Sequence, residues 1–220
     1  MILERFVCGR ARSNTYLFAP ADERAVIVDP GVGAAGRVEA AVRASNLVPE
    51  AVLLTHGHPD HVWGARTLSD RYEIPVYLHA ADWRWLDDPL SGGYLPLVTL
   101  GGRVLGRLRG VRPERLHPAE GHSTISKAGA NLLVLPTPGH TPGGVCLLAD
   151  GVCFTGDTVF AGGVGHTGYP GGRRSVLRQS IAHQVLQVVS DDVRLLPGHG
   201  PETTMGRARG RLEEFADQRR

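Results

Sequence analysis

Residues 51–64 read AVLLTHGHPDHVWG. The apolar run Ala51–Leu54 predicts a buried strand that stops at Thr55, and His56, His58, Asp60 and His61 then fall within six positions. Imidazole and carboxylate groups suit a borderline divalent ion, and a loop just after a strand end can turn short side chains inward. Pro59 fixes one φ of that loop. The segment is therefore either a metal cage that does chemistry or a polar loop rich in histidine.

Outward from this segment, strand-like runs recur in both halves of the chain. They are ILERFVC (2–8), TYLFA (15–19), AVIVD (25–29), PVYLH (75–79), NLLVLPT (131–137), GVCLLAD (144–150), GVCFTGD (151–157) and VRLLPG (193–198). Helical patterns cover 36–46, 62–72, 175–189 and 206–217. In the third of these, Leu177, Ile181, Val185 and Val188 form one apolar face that must pack on a sheet. The chain thus belongs to the α/β class, with helices laid over sheets. Residues 81–129 show weak periodicity and many Gly, Pro and Arg residues, and are expected to form a lid-like irregular excursion from a single domain spanning 1–220.

A chain of 220 residues buries enough apolar surface to fold without staples. Its three cysteines, Cys8, Cys146 and Cys153, form neither a CxxC pair nor an even set, which argues for a reducing compartment. In a hairpin turning at Asp150 and Gly151, Cys146 faces Thr155 and Cys153 faces Leu148, so the thiols are not opposite partners. No run approaches the roughly 20 apolar residues of a membrane span, and no leader pattern opens the chain. A cytoplasmic protein with no membrane partner is expected. The formal charge of +2 and the scattered arginines argue against a nucleic-acid partner.

One loop cannot aim enough ligands for two metal ions, and further candidates stand at strand ends downstream. LPTPGHTPGG supplies His140, FTGDTVF supplies Asp157 and LLPGHGPETT supplies His199, each after an apolar run and beside glycine. His79, His117, His122 and His183 have no partner at ligand spacing and are expected to be structural or solvated. GVGAAG (31–36) satisfies the dinucleotide template as written, but the next strand ends at Thr55 and His56 without the acidic residue that template needs. It is therefore expected to be a tight strand-to-helix turn. Trp63 is expected in the core, while Trp83, Trp85 and Tyr94 are candidates for either core or cleft.

The ordered set HxHxDH, His, Asp, His, with VDPG upstream and PGHGPETT near the end, resembles the metallo-β-lactamase superfamily. TPGHTPGG and GDTVF are most similar to its glyoxalase II-like single-domain branch. The resemblance implies a four-layer αββα sandwich with two mixed sheets flanked by helices. It implies that His56, His58 and His140 hold one metal, that Asp60, His61 and His199 hold a second, and that Asp157 bridges them. Asp60 and Asp29 stand in it as the catalytic carboxylates, Asp29 orienting a ligand or the water from behind. Two divalent ions are implied, zinc first and iron or manganese as alternatives.

The implied reaction is hydrolysis of S-(2-hydroxyacyl) thiols, with hydroxide shared by the metals attacking the thioester carbonyl. An aspartate at 157 favours that branch over antibiotic cleavage, which the resemblance associates with cysteine there. The loop GGVGHTGYPGGRR places His166, Tyr169, Arg173 and Arg174 as substrate contacts. The thiol carrier stays open, because Gly200 and Pro201 follow His199 where the family has a tyrosine. A mono-iron persulfide dioxygenase, a lactonase, a nuclease and a non-catalytic metal-binding module remain as alternatives, and the oligomeric state is open.

Overall fold

The computed structural model describes residues 1–88, 111–149 and 151–218. The first sheet runs in the order β1 (Ile2–Cys8), β2 (Ser13–Ala19), β3 (Arg24–Val28), β4 (Val48–Leu53), β5 (Val76–Leu78) and β6 (Leu116–Pro118). Its first three strands are antiparallel neighbours, and β3 to β6 run parallel. The parallel crossovers pass through α1 (Ala34–Ala44) and then α2 (Pro59–Val62) and α3 (Ala65–Tyr72).

The second sheet is built from β7 (Thr124–Lys127), β8 (Ala130–Pro136), β9 (Val145–Ala149), β10 (Val152–Gly156), β13 (Arg194–Pro197) and β14 (Thr203–Thr204). Within it β10 and β13 are parallel and the other neighbours antiparallel. A small hairpin, β11 (Val159–Phe160) with β12 (Gly163–Val164), leads from the second sheet toward α5 (Arg174–Ser180).

The four layers follow from period-2 alternation in strands buried on both faces. In β2 to β4, Leu17, Ile27 and Val52 turn outward to join Val38 of α1 and Leu68 of α3, while Phe18, Val26 and Leu53 turn inward. The inward set meets Leu132, Val134, Leu147 and Phe154 from the second sheet. On the far side, Leu135, Cys146, Cys153 and Leu195 pack against Leu177 of α5 and Leu212 of α6 (Met205–Asp217). The expected αββα sandwich is therefore the observed fold.

Local departures have physical causes. Residues Ile181–Val185 form a π-helical turn, in which the Leu186 N–H donates to Ile181 O at 2.9 Å. One extra residue per turn rotates the helix face, so Val189 is buried and Val188, expected on the apolar face, is 40% exposed. The expected lid at 81–129 is tied into the body over much of its described length: β6 extends the first sheet, β7 extends the second, and Trp85 and Leu86 are buried. Tyr94 and the rest of 89–110 lie outside the described residues.

The hairpin register places Cys153 opposite Leu148, and Cys146 Sγ reaches Thr155 O at 3.8 Å. All three cysteines are buried and free. Gly31 of GVGAAG packs on the turn of α2, where a Cβ would collide with Asp60 O. That glycine serves a close backbone approach. Among the described residues no helix is long and apolar enough to cross a membrane.

Candidate metal centre

The two sheets meet where several of their strands end. The Val145 N–H donates to Thr55 O at 2.9 Å, and the Asn14 N–H donates to Gly198 O at 2.7 Å. The loops after β3, β4, β8, β10 and β13 converge at this seam and carry Asp29, His56–His61, His140, Asp157 and His199. Carboxyl ends of parallel strands are the usual place for a site in such sheets.

Among the described residues three groups of ligand atoms form there, each within 4.8 Å of one another: a first of His56, His58 and His140, a second of Asp60, His61 and His199, and Asp29 with His56 and His61, which shares one histidine with each of the others. In the first, His140 Nε2 faces His58 Nδ1 at 3.0 Å. The His140 ring is set by its other nitrogen, which donates to the His166 carbonyl at 2.5 Å and so leaves Nε2 as an acceptor. The His56 ring is set by Thr55, whose hydroxyl lies 3.1 Å from Nδ1 and itself donates to Asp29 Oδ2 at 2.6 Å.

In the second group, His61 Nδ1 donates to Asp29 Oδ2 at 3.0 Å, which leaves Nε2 facing inward. That nitrogen lies 3.3 Å from His199 Nε2 and 3.4 Å from Asp60 Oδ2. Asp157 stands between the groups, with Oδ2 3.4 Å from His140 Nε2 and 3.6 Å from His199 Nε2, and Oδ1 3.6 Å from His61 Nε2. Gly198 permits this approach, because a Cβ there would collide with Asp157 Oδ1 and His61 Cε1.

These residues fit a pair of divalent ions. His56 Nε2, both Asp60 carboxylate oxygens and Asp157 Oδ1 are buried without a hydrogen-bond partner among the described residues. Orphaned buried acceptors are costly unless a cation satisfies them.

The electrostatics of the groups differ. Burial lowers the pKa of His56, of His58 to about 3, and of His140, so the first group is neutral and acceptor-ready near neutral pH. In the second, burial opposes charge, but Asp60 and Asp157 outweigh it and raise His61, and they likewise raise His199. Burial opposes ionisation of Asp60 too, yet His61 and His199 hold its carboxyl well below the usual range. The carboxylates thus favour protons on His61 and His199, with which a cation at the second group would compete.

Asp29 lies beside Thr55 and His61. It adopts φ 48°, and its carboxylate accepts from the Thr55 N–H at 2.8 Å, the Thr55 hydroxyl and His61. Of the four residues expected at the substrate, Tyr169 borders the first group, its ring 5.4 Å from that of His58. His166 reaches the site through its backbone carbonyl, while its exposed ring stacks near Tyr169 at 5.2 Å. The Arg173 N–H donates to Gly139 O at the start of α5, and its side chain is exposed. The Arg174 guanidinium lies over Phe215 at 4.7 Å and donates to Gln218 Oε1 at 3.0 Å, so its side chain is turned toward α6.

Asp82 escaped the sequence reading, whereas Trp85 was a candidate for core or cleft. Asp82 is fully buried, and it accepts from the Gly57 N–H at 2.9 Å, the Thr141 hydroxyl at 2.8 Å and the Gly143 N–H at 2.7 Å. It thereby pins the loops that carry His56, His58 and His140, although burial raises its pKa against these three donors. Trp85, 1% exposed, backs the His58 ring at 5.3 Å. Trp63 and Trp83 pack against the outer core, and Trp83 Nε1 donates to Leu78 O. Among the described residues His79, His117, His122 and His183 join no ligand cluster.

Comparison with known proteins agrees with this architecture. A probable metallo-hydrolase, YqgX of Bacillus subtilis, is 35% identical over 205 residues, 90% of each chain. The hydroxyacylglutathione hydrolase GloC of Haemophilus influenzae is 32% identical over 197 residues, 89% of each chain. Among solved structures, BLEG-1 B3 metallo-beta-lactamase superposes with a TM-score of 0.80 at 30% identity, covering 97% of this chain and 99% of its own. TTHA1623 in a di-iron-bound form gives 0.75 at 31% identity, covering 94% and 98%. The family model described as the metallo-beta-lactamase superfamily matches residues 8–199, a span that begins at the end of β1 and closes on the last histidine of the second ligand group. The seam of two sheets, the paired ligand groups and this match together establish that the chain belongs to the metallo-β-lactamase superfamily.

Proposed function

We propose that this metallo-hydrolase superfamily member is a binuclear thioesterase acting on S-(2-hydroxyacyl) thiols. The observation that carries the two-metal part is the position of Asp157 between two complete ligand groups. A mono-iron dioxygenase needs only the first group, and both Asp60 carboxylate oxygens would then stay buried without a hydrogen-bond partner among the described residues. The likeness to GloC over nearly the whole chain supports the thiol-ester substrate.

His56, His58 and His140 would hold one ion, Asp60, His61 and His199 the other, and Asp157 would bridge them. Two such ions, zinc or iron, supply a water of lowered pKa and a Lewis acid for the attacked carbonyl. Asp29 and Thr55 keep His61 and His56 turned inward, so the ligands need no reorganisation as charge develops. Asp60 and Asp157 concentrate negative charge at the second group, which favours cation capture there. Tyr169 and Trp85 wall the first group and keep bulk water from the thioester. The departing thiolate, conjugate base of a thiol of pKa about 8.5, leaves far more readily than an alkoxide and needs little proton donation.

A second reading, hydrolysis of a β-lactam ring amide, is favoured by the close superposition on BLEG-1. Metal analysis with a substrate panel separates the readings. About two metal equivalents per chain and turnover of S-lactoyl thiols are expected. Turnover of a chromogenic cephalosporin in place of thiol esters would favour the β-lactam reading, and one iron with oxygen uptake on a persulfide would favour the dioxygenase.

A further inference from the structure

A cavity of about 350 Å³ opens beside His199, walled by the β1–β2 turn on one side and the loop after β13 on the other. Two of its lining residues, Arg5 and Arg12, are cationic, and among the described residues no carboxylate lines it. The nearby Glu202 is engaged by Arg194 at 2.7 Å. His199 is the most open of the ligand side chains, 25% exposed, so the metal centre meets solvent on this side. We propose that this cavity binds an anionic group, a carboxylate or a phosphate, on the thiol carrier of the substrate. The inference rests on the thioesterase reading, because a simple 2-hydroxyacyl group is uncharged once esterified and the anion must sit on the carrier.

Four observations carry it. Arg5 Nη1 donates to Gly200 O at 2.9 Å, which fixes the guanidinium at the wall while its remaining N–H groups stay available for a forked contact. Arg12 sits at φ 57°, a left-handed conformation that a side-chain-bearing residue seldom adopts. Strain of this kind recurs at ligand clamps. Asn14, 1% exposed, also lines the cavity, and its Nδ2 serves the carbonyls of Pro197 and Gly200 at 2.8 and 2.9 Å. Its orientation is thereby determined, and Oδ1 is left as a buried acceptor without a partner among the described residues, suited to an amide N–H of the carrier.

The test compares S-lactoyl esters of 3-mercaptopropionate, 2-mercaptoethyl phosphate and neutral 2-mercaptoethanol, using the metal-loaded full chain. The charged esters should have the higher kcat/KM, and whichever leads identifies the anion. In Arg12→Ala the charged-to-neutral ratio of kcat/KM should fall roughly tenfold, with a further fall in Arg5→Ala/Arg12→Ala. Arg12→Gly relieves the backbone strain yet should lose the preference equally. Arg10→Ala, on the same turn but outside the cavity lining, should keep it. An unchanged ratio in the double variant would overturn the assignment.

If no thiol ester is turned over, the thioesterase reading falls by itself, and the cavity is tested by binding of 3-(methylthio)propionate in calorimetry. Binding to the unaltered protein that disappears in the double variant supports the anion site. No binding, or binding that survives in the double variant, refutes it.

Discussion

The two ligand groups share the loop after β4 yet differ in their electrostatics. His56, His58 and His140 form a neutral, buried set whose readiness comes from desolvation and from a proton held on His140 Nδ1 by the His166 carbonyl. Asp60, His61 and His199 form a charged set, open at His199, in which the carboxylates raise the pKa of the imidazoles and a cation would compete with the proton. The first set depends on how its loops are held. The second depends on charge balance. One seam therefore offers two sites with different sensitivities, and Asp157 is the group they share.

The comparison breaks most completely at Asp157. Asp157→Ala should lower turnover by roughly a thousandfold or more and release metal from both groups, measured by steady-state kinetics and metal analysis. Retention of two equivalents in a folded variant would remove Asp157 from the bridging position.

Two variants behind the ligands should sharpen the contrast. Asp29→Ala frees His61 and should weaken metal binding at the second group by about 10–100-fold. Asp82→Ala leaves the Gly57 and Gly143 N–H groups buried without an acceptor, costs roughly 2 kcal/mol in a denaturant titration, and should loosen the first group selectively. Competition with a chelator, following the two equivalents separately, distinguishes the pair. Equal loss of both metals in Asp82→Ala would mean that it acts only through general stability. The smallest effect is expected for Arg174→Ala, which removes a stack on Phe215 worth about 0.5–1 kcal/mol and should leave kcat/KM unchanged. A large rise in KM would return Arg174 to the substrate.

Short-range patterns in the chain already determined much of this molecule. Apolar runs ending in His, Asp and Gly mark strand ends, and a side chain just past a strand end can reach a seam whatever else the fold does. The positions of His56, His58, Asp60, His61, His140, Asp157 and His199 were legible for that reason, and two-sided burial of β2, β3 and β4 marked central strands. Tertiary structure alone decided the rest. Asp82 looks like an ordinary polar residue in AADW, and only the folding together of loops 25 and 61 positions away gives it three donors. The π-helical turn exchanged Val188 for Val189 because packing against α6, not local propensity, set the helix phase. Arg5 and Arg12 read as scattered surface charges in sequence; they share a cavity with His199 because β2 lies against the loop after β13. Ligand type is a local property of a residue, whereas a ligand's orientation and the charge around it are set by neighbours far away in the chain.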